Sequence, residues 1–145
     1  MLSLTKIIHF EMAHAIDGYA GACKNIHGHS YELHVTVSCS DVTDDNYIPA
    51  PGFILDFKEL KKLLFSSVMQ TFDYKLVLSR DYLSKNPGLD SQKNLVVWDT
   101  EPTAENLLIY ISRQLKKKFP PDIKLKALKL YETKDSFAGW TNTAK

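Results

Sequence analysis

Three of the five histidines of this chain, His14, His27 and His29, mark where two alternating segments end and begin, and they constrain the chain more than any other feature. Residues 4–14 and 29–40 alternate apolar with polar positions and are rich in β-branched residues, with Leu33, Val35 and Val37 on one face and His34, Thr36 and Ser38 on the other. Both segments read as strands. Side chains two apart on a strand point to the same side, so His27 and His29 can present their imidazoles to one point, and His14 can add a third from the paired strand. Neutral imidazole nitrogens bind zinc at about 2.0–2.1 Å, and three protein ligands with an open fourth position describe a catalytic site. The plainer reading is that a strand histidine is a surface or core residue, as His9 and His34 are read here. Spacing alone leaves both readings open.

Between the two strands, Asp17 to Gly28 holds three glycines in a polar mixture, which suits a loop that approaches a ligand closely. It carries Cys23, four residues before His27. That thiol has three readings: a fourth metal ligand closing a structural site, an unbound thiolate beside the cation, or a small buried hydrophobe. With only Cys23 and Cys39 in the chain and no export signal at the N-terminus, a disulfide framework is not expected.

Further along, Pro49-Ala-Pro51-Gly52 interrupts the chain, and Asp56 stands where it can cap a helix reaching about residue 71, with Phe57, Leu60, Leu63 and Leu64 at helical spacing. Asp73 follows it, either as a loop residue or as the orienter of a nearby acid or base. Ser79 to Gln92 reads as loop and Asn94 to Trp98 as a short extended piece. Thr103 opens a second helix with Leu107, Leu108, Ile111 and Leu115 on one side, stopped by Pro120-Pro121. A strand then leads to Glu132, whose carboxylate could pair with a surface cation or accept hydrogen bonds from a planar amino-imino edge, and Phe137 to Thr141 reads as a last strand. The order β-β-α-α-β-β predicts an α+β domain: a four-stranded antiparallel sheet with two helices on one face.

Composition narrows the function classes. A formal charge of +1, from 18 Lys and Arg against 17 Asp and Glu, supplies no global field for nucleic acid or an anionic membrane. No apolar run approaches the length of a membrane helix. The expectation is therefore a cytoplasmic domain without nucleic-acid or membrane partners, small enough in its sheet to favour self-association.

Taken together, Phe10-x-x-Ala-His14, Cys23-x-x-x-His27-Gly-His29-x-Tyr31, Gly52-x-x-x-Asp56-Phe57, Pro102-Thr-Ala-Glu-Asn106 and Tyr131-Glu132-Thr133 resemble the 6-pyruvoyl-tetrahydropterin synthase and 6-carboxytetrahydropterin synthase family, in the family's order. The resemblance implies a single T-fold domain over residues 1–145, assembled as a trimer or hexamer with sites between subunits. It implies Zn2+ on His14, His27 and His29, Cys23 as the proton-abstracting thiolate, Glu132 as the anchor of the pterin ring, and Thr103 as a further ring contact. The implied substrate is dihydroneopterin triphosphate, and for the carboxy enzymes the product feeds queuosine synthesis. One departure stands out: the family's Asp-His pair after the first helix is here Asp73-Tyr74. A phenol holds its proton too tightly to shuttle it at neutral pH as imidazole does, so Tyr74 either substitutes in an adapted site, yields the role to another residue, or marks a changed activity.

Overall fold

The computed structural model describes residues 1–43 and 45–144. Two long strands, β1 (Leu4–His14) and β2 (His27–Cys39), pair antiparallel from Leu4↔Val37 to His14↔His27. A helical rod follows: α1 (Phe57–Leu64), a π-helical turn (Phe65–Met69) and the short α2 (Gln70–Phe72). As its sequence position predicts, Asp56 caps the rod, its Oδ1 accepting from the Lys58 N–H at 2.7 Å. Then come β3 (Lys75–Ser79), α3 (Arg80–Lys85), β4 (Leu95–Trp98), α4 (Ala104–Lys116), β5 (Ile123–Thr133) and β6 (Ser136–Thr141).

The expected four-stranded antiparallel sheet is present as the block β1-β2-β5-β6, but it is part of a larger mixed sheet of order β4-β3-β1-β2-β5-β6. β3 runs parallel to β1 and β4 parallel to β3. The additional strands correct the β-β-α-α-β-β reading, and their physical reason lies in burial. Val77 joins the main core while Leu76 and Leu78 join a second cluster with Ala15 and Tyr82 of α3. A strand covered on both faces reads as a continuous apolar run instead of an alternation. The stretch from Ser79 read as loop likewise begins with α3, nucleated by Ser79 Oγ accepting from the Tyr82 N–H at 3.0 Å.

The main core lies between α1, α4 and one face of the sheet, where Ile8 and Phe10 of β1 stand opposite Leu33 and Tyr31 of β2, and Met12 and Val35 belong to the same cluster. Phe10 and Tyr31 stack with ring centroids 5.1 Å apart. The same face carries His14 beyond Met12, and His29 and His27 beyond Tyr31, so the alternation that packs the core also delivers the imidazoles to one end of it. No helix among the described residues is long and apolar enough to cross a membrane.

Candidate metal and active site

His14 and His27 stand directly opposite each other across the β1–β2 ladder, with His29 one step along the same face. Their three ring centroids are 4.6 to 5.2 Å apart, and one nitrogen from each ring lies within 4.8 Å of the other two. Main-chain carbonyls orient two of the rings. His14 Nδ1 donates to the Pro102 carbonyl at 2.7 Å, and His27 Nδ1 donates to the Asn25 carbonyl at 2.8 Å. A carbonyl only accepts, so each Nδ1 carries its hydrogen, and in the neutral form of each ring the lone pair is at Nε2.

Those two Nε2 atoms face each other at 3.0 Å. Two lone pairs at that distance repel unless a cation lies between them. Zinc–nitrogen bonds of about 2.0–2.1 Å in a tetrahedron hold nitrogens about 3.3 Å apart, which is close to this separation. Burial lowers the proton affinity of His14 and His29, opposed for His14 by its bond to Pro102 and for His29 by the charge of Glu132, so the favoured state is neutral and able to ligate. The donor set fits a divalent metal of the kind that imidazole prefers. The alternative of chance spacing does not account for nitrogens that converge.

The imidazoles form the floor of a pocket of ≈ 410 Å³ that is also lined by Cys23, Thr103 and Glu132. Cys23 is exposed and unpaired in a disulfide, on a short 3-10 turn (Ala22–Lys24) whose base closes through Ile16 N–H donating to the Cys23 carbonyl at 2.9 Å. Glu132 sits on the core face of β5, its Oε2 3.8 Å from His29 Nε2, too far for a hydrogen bond. Thr103 caps α4 by accepting from the Asn106 N–H at 3.2 Å. Tyr31, beneath the pocket, has its hydroxyl pushed far above the ordinary range, first by burial and then by Glu132, and it remains a neutral packing residue.

Asp73 and Tyr74 stand elsewhere. Asp73 Oδ1 accepts the Glu11 N–H at 2.9 Å, and the Tyr74 N–H donates to the Glu11 carbonyl at 2.7 Å. Tyr74 adopts φ 58 and is 74% exposed, beside a shallow groove that shares His29 with the main pocket. Within one chain these two residues do not reach the wall that holds Cys23. Sequence reasoning missed the pocket residues Ile16, Tyr19, Glu105 and Phe137, of which Glu105 and Phe137 were signalled only by their closeness to Thr103 and Glu132. The Tyr19 ring lies over Gly21, where a Cβ would meet a ring carbon at 2.5 Å.

Residues 3–142 match the model of the family described as 6-pyruvoyl tetrahydropterin synthase. The chain belongs to that family. It is 28% identical to the 6-carboxy-5,6,7,8-tetrahydropterin synthase of Rickettsia typhi over 94% of this chain and 98% of that protein. It is also 28% identical to the dihydroneopterin monophosphate aldolase of Pyrococcus furiosus, over 85% of this chain and 82% of that protein. The structure of Caenorhabditis elegans 6-pyruvoyl tetrahydropterin synthase superposes with a TM-score of 0.67 at 20% identity, covering 98% of this chain and 96% of that one, which establishes the shared T-fold.

Proposed function

We propose that the chain is a zinc-dependent lyase that converts 7,8-dihydroneopterin triphosphate and water to 6-carboxy-5,6,7,8-tetrahydropterin, with loss of acetaldehyde and triphosphate, in queuosine synthesis. The observation that carries this reading is the pair of inward-facing Nε2 atoms of His14 and His27, with His29 beside them and Cys23 across the same pocket. The near full-length similarity to a 6-carboxytetrahydropterin synthase supports the choice of product.

His14, His27 and His29 would hold the zinc, which when bound would supply a Lewis acid for the side-chain hydroxyls and so raise the acidity of the adjoining carbon. Cys23 takes the proton from that carbon as a thiolate. Glu132 orients the ring by accepting hydrogen bonds from its amino-imino edge, a charge-assisted pairing. Thr103 Oγ1 already accepts from the Asn106 N–H, which leaves its own proton free for a ring acceptor. Asp73 and Tyr74 serve the pocket of a second copy in a trimer or hexamer, in keeping with a ring held outward on a backbone pinned to Glu11.

Incubation of the zinc-loaded protein with dihydroneopterin triphosphate tests the reading by product. Acetaldehyde is expected. A pyruvoyl pterin assigns instead the 6-pyruvoyl-tetrahydropterin synthase reaction, and an unchanged substrate overturns both. Tyr74 favours one further reading, a zinc- and pterin-binding homologue of altered activity. Tyr74→His then raises turnover by about 100-fold, whereas a fall identifies the phenol as part of an adapted site.

A further inference from the structure

The loop that carries Cys23 has no anchor in the core, because no residue from Ile16 to Ile26 is buried. Polar ties fix it instead. The Asp17 N–H donates to Glu101 Oε1 at 2.6 Å, and Lys85 Nζ of α3 donates to Asp17 Oδ2 at 2.8 Å and Oδ1 at 3.1 Å. Asp17 follows Ile16, whose N–H holds the Cys23 carbonyl, so a displacement of Asp17 carries Cys23 with it. Glu101 is itself held by α4: its carbonyl accepts from the Thr103 N–H and from Asn106 Nδ2, both at 2.9 Å.

The three imidazoles are fixed differently, by the β1–β2 register and by the carbonyls of Pro102 and Asn25. Removing the Glu101 carboxylate leaves the backbone of residues 101–103 bonded to α4 and so leaves the Pro102 carbonyl on His14. The thiol and the metal ligands are thus held by separable restraints. We propose that Glu101 and Lys85 are positioning residues for Cys23, acting through Asp17 to hold the thiol over the imidazole cluster. The effect on turnover rests on the catalytic reading of Cys23; the effect on the thiol rests on the geometry alone.

The test compares Glu101→Ala, Glu101→Gln and Lys85→Met in zinc-loaded protein. Zinc per chain is measured, with the rate of iodoacetamide alkylation at Cys23 followed by peptide mass spectrometry, and kcat and KM for dihydroneopterin triphosphate. Glu101→Ala is expected to keep its zinc, to shift the alkylation rate of Cys23 severalfold as the already exposed thiol leaves its place beside the imidazoles, and to lose about 10–100-fold in kcat with little change in KM, because small misplacements of a reacting group cost that much. Glu101→Gln, which keeps an acceptor oxygen, is expected to restore both rates. Lys85→Met, remote from the metal ligands, is expected to shift alkylation in the same direction and carries the test if Glu101→Ala does not fold. Wild-type alkylation in the variants overturns the assignment, and so does loss of zinc, which would route the effect through His14. If the parent protein shows no turnover while alkylation shifts in Glu101→Ala and returns in Glu101→Gln, the positioning role stands and the catalytic reading of Cys23 falls.

Discussion

Two histidine clusters occupy opposite faces of the same two strands, and they differ in what each ring nitrogen meets. On the outer face, His9 Nε2 lies 3.2 Å from Glu32 Oε2 and His34 Nε2 lies 2.6 Å from Glu32 Oε1, so each ring is spent on a shared carboxylate. The bonds from His34 and then His9 hold that carboxyl below its ordinary range. On the core face the Nε2 atoms of His14 and His27 meet each other and no carboxylate among the described residues, and main-chain carbonyls fix their other nitrogens. The difference teaches that ligand capacity comes from what is left unpaired, not from the number of histidines.

The largest effect that could break this contrast is on metal binding. His14→Ala is expected to weaken zinc affinity more than about 100-fold by equilibrium dialysis, while His9→Ala leaves it unchanged. Equal losses would erase the distinction between the faces. Cys23→Ala sharpens it from the side of chemistry: zinc is expected to stay bound, and turnover to fall by about 10²–10⁴. Release of metal from that variant would make the sulfur a fourth ligand. Glu132→Gln comes next, with KM expected to rise about tenfold through loss of a charge-assisted hydrogen bond and zinc content unaltered.

The smallest effect is on stability in the metal-free protein. Burial holds His14 and His29 below the ordinary imidazole value of 6.5, so between that value and the depressed ones the unfolded chain binds more protons than the folded chain. Stability is then fully present above pH 6.5 and declines as pH falls through the window. Thermal unfolding scans are expected to give a flat midpoint above it and a falling one below. His14→Leu flattens that slope, and a wild-type slope in this variant would contradict the assignment to the core-face cluster.

Much of the fold was legible where one side of an element meets solvent. β1, β2 and α4 announce themselves by period, and Asp56 and Thr103 by their capping positions. β3 was not, because Leu76, Val77 and Leu78 are buried on alternate faces and leave no alternation to read. In the site, His14, His27, His29, Cys23, Thr103 and Glu132 line one pocket. Asp73 and Tyr74 do not, since closeness to a helix end says nothing about which side of a sheet edge a turn will serve. The ties from Glu101 and Lys85 to Asp17 were also invisible, being contacts between residues far apart in sequence.

The carbonyls of Pro102 and Asn25 choose which nitrogen of their partner rings remains basic, and neither belongs to a side chain. Alanine scanning at positions 25 and 102 would leave both acceptors in place and report these residues as silent. The tautomer of the cluster is therefore inherited from the path of the polypeptide, and it tolerates amino-acid drift at both positions as long as that path is kept.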